Sequence, residues 1–303
     1  MSARTQKKGE SALRELAPGQ SPELLKALHI LTREGQLNAD SLRKLKQVNH
    51  LARLLAPALE DVLARFGEPV VVDCGAGKSY LGFVLYELFL NGTGKGTLHA
   101  IESRGELVEK ARALAGRLGF DRMSFEQAEI GAAAPPARVH LVTALHACDT
   151  ATDDALALAV RHGADHVAVV PCCQAEVAGQ LARAESPAPL LASLFEHAWH
   201  RREFGSHLTN VVRALALEAS GYSVTVTELA GWEHSLKNEL ILGKKVRAGD
   251  AGARQRLTDL CDAAGVKPKL VRLLWPSSST PTGSTPTERS GKQTGVRGSA
   301  GGL

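Results

Sequence analysis

Asp73, Gly75 and Gly77 stand at alternate positions in VVDCGAGKSYLGFVLYEL, between a run of β-branched residues and a new apolar rhythm. Two glycines at this spacing let the backbone turn tightly and approach a ligand closely, because neither carries a Cβ. A helix that begins there directs its free N–H groups into the same space. Glu102 closes the next apolar run, TLHAIES. An acid at that place in a nucleoside-binding sheet accepts hydrogen bonds from ribose hydroxyls. Together the four residues point to a nucleoside cofactor.

The spacing narrows the choice. Tyr80 stands where a dinucleotide fingerprint needs its third glycine, and Val72 stands where a phosphate loop ending in Gly77-Lys78-Ser79 needs its first. An acid beside a pyrophosphate is repelled, whereas an acid beside a cationic amino-acid group is attracted. Charge therefore favours S-adenosylmethionine over NAD.

A second set of reactive side chains lies further on: His146, Cys148 and Asp149, then Cys172 and Cys173 after Pro171. Methyl transfer is an in-line displacement, so a protein must place the acceptor, exclude water and, where needed, remove a proton. His146 is the candidate base, since its reference pKa lies near neutrality. Asp149 either orients that histidine or caps the following helix, a place for which Thr152 and Asp153 also compete. Cys148 and Cys172 raise thiolate attack on a cytosine ring. His146 with Cys148, Cys172 and Cys173 raises a metal, but no Cys-x-x-Cys spacing supports one and no metal is assigned.

These residues need elements to hold them. Helices are expected from Ser21-Pro22 and from near Asp40, with Pro57 beginning a continuation. Strands are expected over 68–74, 97–103, 123–130, 139–148, 166–173, 222–229 and 239–246, the last two as an antiparallel pair. Helical rhythm fills most of the gaps, including 187–201, 207–219 and a segment after Ala253. Strands alternating with helices give a mainly parallel sheet covered on both faces. On the first long helix Lys44, Lys46, Gln47 and Asn49 draw notice: the lysines as phosphate contacts or a solvated face, Asn49 as a bond to the glycine loop. His207 and Asn210 are weaker candidates on a later helix.

DCGAGKSYLGFVLYEL (73–88) resembles motif I of class I S-adenosylmethionine-dependent methyltransferases. ALHACDTATDDAL (144–156), VVPCCQ (169–174) and EHSLKNELIL (233–242) are similar to the methyltransferase-domain family that contains METTL25-like and RRNAD-like proteins. KLKQVNHLARLL (44–55) fits that family's helical lead-in, and the resemblance spans roughly residues 40–246. It implies an α/β fold: a Rossmann-like, seven-stranded, mostly parallel sheet with an antiparallel last strand, helices on both faces and an N-terminal helical extension. It implies S-adenosyl-L-methionine cradled by Asp73, Gly75, Ala76 and Gly77, with Glu102 at the ribose, Ala128 and Glu129 beside the adenine, and Leu145 at the end of strand four. His146 and Asp149 then face the methyl group. Pro171, Cys172, Cys173, Lys237 and Asn238 border the substrate. Leu145-His146-Ala147-Cys148 replaces the Asn-Pro-Pro-Tyr/Phe motif of amino-directed methylases, which argues against methylation of a base amino group.

The 303 residues are 44% hydrophobic, enough for a substantial core, and net charge is +4. The first twenty residues carry four cations against two acids, and the tail from Pro276 three against one, so the stretch between is close to neutral. A nucleic-acid partner is permitted by this count and not indicated by it. Five cysteines without scaffold spacing, no secretory signal and no membrane-length apolar run place the chain in the cytoplasm. The expected organisation is a flexible 1–20, a helical lead-in over 21–67, a methyltransferase domain over 68–248, a C-terminal helix and short extension over 249–275, and a disordered tail over 276–303. The function expected is methyl transfer from S-adenosylmethionine, with RNA placed first among acceptors. A protein or small-molecule acceptor, or a non-catalytic nucleoside-binding role, stays open.

Overall fold

The computed structural model describes residues 16–276 apart from 33, 36, 146, 172–173, 184–195 and 230–238. Seven strands form one sheet: β1 (Val70–Cys74), β2 (Thr97–Glu102), β3 (Met123–Gln127), β4 (Leu141–Ala144), β5 (His166–Val169), β6 (Tyr222–Glu228) and β7 (Glu239–Lys245). Their order is β3-β2-β1-β4-β5-β7-β6. β7 runs antiparallel to both β5 and β6, and the other pairings are parallel. The expected sheet is thus the one observed.

Side chains alternate between faces along a strand. Val71 enters the core beneath α1 (Pro22–Ala27), α2 (Ala39–Arg65), α3 (Tyr80–Leu85) and α4 (Gly105–Leu118). Val72 and Cys74 enter the core on the other face, with α5 (Thr150–Arg161), α6 (Glu176–Leu181), α7 (Ala198–Ala219), α8 (Ala251–Ala264) and α9 (Lys269–Leu274). Alternation therefore turns Asp73 to the face of Val71, toward α2 and α3. That single parity decides where the carboxyl edge of the sheet keeps its buried acid.

Several boundaries differ from the sequence expectation. α2 runs unbroken through Pro57. Pro57 and Arg53 are both exposed, so the carbonyl that loses its helical partner is solvated rather than orphaned. β4 and β5 are shorter than expected, because the ladder ends where the Val170 amide donates to the Ala144 carbonyl at 2.9 Å. α5 begins at Thr150 with Asp149 at its N-cap, so neither Thr152 nor Asp153 caps it. Thr152 instead donates its hydroxyl to the Ala147 carbonyl, and Asp153 is buried against an arginine. The two helices expected over 187–201 and 207–219 are, in their described part, the single helix α7. The tail beyond Pro276 lies outside the described residues. Among those described, no helix is long and apolar enough to cross a membrane.

α6 and α7 pack closely at Gly205, where an added Cβ would lie 2.7 Å from the Ala178 Cα. A methyl at a helical glycine gains about 1 kcal/mol in propensity, whereas overpacking costs about 1–3 kcal/mol. Backbone cannot yield as a flexible side chain does, so the steric cost wins. Gly205→Ala should lower the unfolding free energy by roughly 1 kcal/mol in a urea titration. Gly116→Ala on α4, where an added Cβ meets nothing within 4 Å, should raise it by up to about 1 kcal/mol.

Candidate functional site

Strand order reverses between β1 and β4, and ligands in open sheets bind outside the carboxyl ends of the strands at such a point. A cavity of about 560 Å³ opens there. One wall is the β1 turn: Asp73, Gly75, Ala76 and Gly77. Leu145 adds the end of β4, and Lys44, Gln47, Val48 and Leu51 add one face of α2. Leu28, His29 and Ile30, just after α1, complete the enclosure.

Gly75 and Gly77 adopt φ 64° and 60°, the left-handed region that a Cβ disfavours. A Cβ on Gly75 would lie 3.5 Å from the Ala147 Cα, so the turn touches the segment leaving β4. Ser79, at the N-cap of α3, also has positive φ, and its buried hydroxyl has no partner among the described residues. Asp73 is buried and accepts from the Thr143 hydroxyl at 2.8 Å. Burial pushes its carboxyl up to about 7, against the opposing bonds from Thr143 and the Gly82 amide.

Glu102 stands behind the turn. Its Oε2 accepts from the Gly77 amide at 2.7 Å, and its Oε1 accepts from Arg104 Nε at 2.7 Å and the Arg104 amide at 3.1 Å. Burial raises the Glu102 carboxyl, but these bonds outweigh it and hold the group below its ordinary value. Arg104 lies only two residues after Glu102. Sequence reading passed over it, although an adjacent cation is the usual means of keeping a half-enclosed carboxylate ionised.

The remaining expected residues divide. Ala128 is half-buried against the core and donates its amide to the Glu102 carbonyl at 3.2 Å, whereas Glu129 is exposed and outside the cavity lining. Asn49 accepts from Gln20 Nε2 at 2.6 Å, a bond to the N-terminal extension. His207 is exposed, and Asn210 is buried with Glu239. Pro171 is buried just past β5. His146, Cys172, Cys173, Lys237 and Asn238 lie outside the described residues. Asp149 has a use that the sequence did not show: its Oδ1 accepts from the amides of Ala175 and Glu176 at 2.8 and 3.2 Å, at the start of α6. Among the described residues, no group of three or more His, Cys, Asp or Glu side chains could hold a metal.

The cavity is within the range of small-molecule sites, about 300–1,000 Å³, and its wall is largely apolar with few polar groups. It offers a desolvated acid for a cation and a glycine turn backed by a second acid. That set suits a nucleoside carrying a cationic amino-acid group, and the unpartnered Ser79 hydroxyl lies beside the same turn.

Residues 43–180 match a protein-family model described as a methyltransferase domain. Among solved structures, the chain is similar to an rRNA methylase from Streptococcus thermophilus, at 11% identity and TM-score 0.40, covering 66% of this chain and 94% of that one. It is similar to magnesium protoporphyrin IX methyltransferase from Synechocystis PCC 6803 with bound SAH, at 12% and 0.39, covering 74% and 93%. A third likeness is to geranyl diphosphate methyltransferase in complex with SAM, at 15% and 0.42, covering 78% and 95%. No curated protein matches the chain. The matched segment holds β1 to β5 and every cavity residue named above except Leu28, His29 and Ile30. That segment is thus similar to a methyltransferase domain.

The Asp149 contact can be read directly. Removing the carboxylate in Asp149→Ala should cost about 1 kcal/mol, as for loss of a helix cap, and speed hydrogen exchange at the Ala175 and Glu176 amides. Unchanged exchange at both amides would show that the contact does not persist in solution.

Proposed function

We propose that the chain is an S-adenosylmethionine-dependent methyltransferase, that its acceptor is RNA and that the methyl group is transferred where the β1 turn meets the segment leaving β4. The observation that carries the acceptor is charge segregation. Across 41–53 of α2 the sequence has no acid, and Lys46 and Arg53 are exposed. A second hollow of about 440 Å³ adjoins the cofactor cavity through Leu28, His29, Lys78 and Tyr80, and it adds Lys110 and Arg117. Among the described residues lining the two hollows, Asp73 is the one carboxylate, and it is buried. Lys110 meets Glu106 at 3.6 Å with both side chains largely exposed, a pairing that water and salt weaken. A cationic rim on a nearly neutral body favours a phosphate backbone. Kinship with the METTL25-like and RRNAD-like proteins, through the 144–156 and 169–174 motifs, belongs to the same reading.

When bound, S-adenosylmethionine supplies a methyl group on a sulfonium, already activated for displacement. The residues supply the rest. Asp73 takes the amino-acid ammonium, and the Gly75–Gly77 backbone follows the same end of the ligand. Glu102, held ionised by Arg104, accepts from the ribose hydroxyls, and Ala128 with Glu129 marks the adenine side. Leu145 and the α2 face exclude water. His146 receives the acceptor's proton. Pro171, Cys172, Cys173, Lys237 and Asn238 are assigned to the acceptor side.

Cofactor affinity should depend on pH through Asp73. Its carboxyl binds a proton below about 7, while an ammonium prefers the ionised form, so binding releases that proton. S-adenosylhomocysteine affinity should rise with pH, by up to about tenfold per unit below 7, and level off above it. Calorimetry in buffers of different ionisation enthalpy measures the release; Asp73→Asn should weaken binding and abolish the pH slope. Clear binding of NADH with none of S-adenosylhomocysteine would defeat the cofactor assignment.

The acceptor is tested by tritiated methyl transfer into total cellular RNA and into the matching protein fraction. RNA should take the label. Lys44→Ala/Lys46→Ala/Lys78→Ala should weaken RNA binding and reduce the logarithmic salt slope by about 2, at about 0.7 per lost phosphate contact. Label entering protein alone would replace RNA by protein as the acceptor.

A further inference from the structure

Asp149 adopts φ 50° and ψ −121°. A residue with a Cβ stays in such a region only when its surroundings hold it there, and residues so held gather at functional sites. Here the holding groups are identifiable. The carboxylate is fixed by the two amides at the start of α6. The carbonyl accepts from Arg213 Nη2 at 2.8 Å.

Arg213 lies on α7 and is wholly buried. Its Nε donates to Asp153 Oδ1 at 2.8 Å, and its Nη1 donates to Asn210 Oδ1 at 3.2 Å. Asn210 Nδ2 donates in turn to Glu239, the first residue of β7, at 2.8 Å. One guanidinium therefore ties the segment leaving β4 to α5 and, through Asn210, to the start of β7. The Asp149 carboxylate extends the connection to the turn after β5. All of these points lie at the sheet edge that carries the cofactor turn.

A buried ion pair is weak evidence of stabilisation, since apolar side chains of like volume often serve as well. What the planar fork adds is fixed geometry among several partners at once. We propose that Arg213 is a positioning residue, which sets Ala147 and Cys148 against the cofactor turn by gripping the main chain of Asp149. The assignment rests on the methyl-transfer reading of that edge. It goes beyond it by naming what orders the acceptor side.

The test uses the full chain with Arg213→Lys and with Arg213→Met/Asp153→Leu. Lysine keeps a counter-ion for Asp153 but cannot reach three acceptors as the fork does. The double variant removes the buried pair as a unit and so leaves no unpaired charge in the core. The local readout is hydrogen exchange at Ala151 and Thr152, whose amides donate to the Cys148 and Asp149 carbonyls. Both variants should exchange about tenfold faster there, with β1 amides unchanged and S-adenosylhomocysteine affinity within about threefold of the parent. Turnover on total cellular RNA should fall about a hundredfold at little-changed KM, as expected when a reacting group is misplaced. Unchanged exchange at Ala151 and Thr152 in both variants would overturn the proposal. Faster exchange throughout β1 would overturn it also, since Arg213 would then be holding the core. If the parent protein binds S-adenosylhomocysteine but labels no RNA, the RNA reading fails alone, and the exchange rates still decide the role of Arg213.

Discussion

The Asp73 carboxyl leaves water at the end of β1 with the Thr143 hydroxyl as its side-chain partner, and burial pushes it up to about 7. Much of the cofactor edge answers to that placement. Gly82 must lack a side chain, because a Cβ there would lie 2.6 Å from Ser79 Oγ and 3.2 Å from Asp73 Oδ2. Thr143 must stand beside Asp73 in the β1–β4 register, and it does. An acid on the surface would be satisfied by water and indifferent to a ligand. A desolvated one gains most when a cation arrives, which is how a buried charge becomes selective for a cationic amino-acid group.

Charge is distributed by edge as well as by count. At the amino edge of the sheet, cations and acids pair with one another. Asp165 takes Arg65 at 2.6 Å and also Arg138, and Asp61 takes His166 at 2.7 Å and Lys244 at 3.5 Å. The Asp61 carboxyl falls to about 2, chiefly through the bond from His166. These contacts fasten the end of α2 to β5. Across 41–53 the sequence of the same helix has four cations and no acid. A near-neutral total thus conceals one edge at which cations and acids pair with one another.

The centre of the sheet was legible because its strands are apolar on both faces, and the glycine turn because backbone chemistry leaves few alternatives to glycine at φ near 60°. Glu102 was legible by place. Its partner Arg104 was not, because a cation two residues from an acid is ordinary on any surface. The end of β4 was misjudged because VHLVTALHAC stays apolar after the ladder stops; only the β5 register sets the limit. Asp149 read as an acid near a helix start, and it does hold a helix start, but that of α6, which lies 26 residues on in chain order. Segregated charge cannot be seen in a linear count. Arg213 had a faint signal: NVVRALAL sets one cation in an apolar stretch, and such a cation is either exposed or bound by several acceptors.

In the proposed reading, donor and acceptor sides are built on opposite faces. α2 and α3 shape the cofactor cavity over one face of the sheet, whereas α5 and α7 organise the post-β4 segment over the other. Methyl transfer as proposed would have to cross between them, so some backbone must belong to both. Gly75 and Ala147 are that backbone: a Cβ on the first would come within 3.5 Å of the second. The contact requires Gly75 to be bare and left-handed, and it requires the chain leaving β4 to be held where Ala147 meets it. Thr152 fixes that chain through the Ala147 carbonyl, and Arg213 fixes it through the Asp149 carbonyl. The cofactor turn and the buried arginine, set on different faces and far apart in sequence, thereby act on the same short length of main chain.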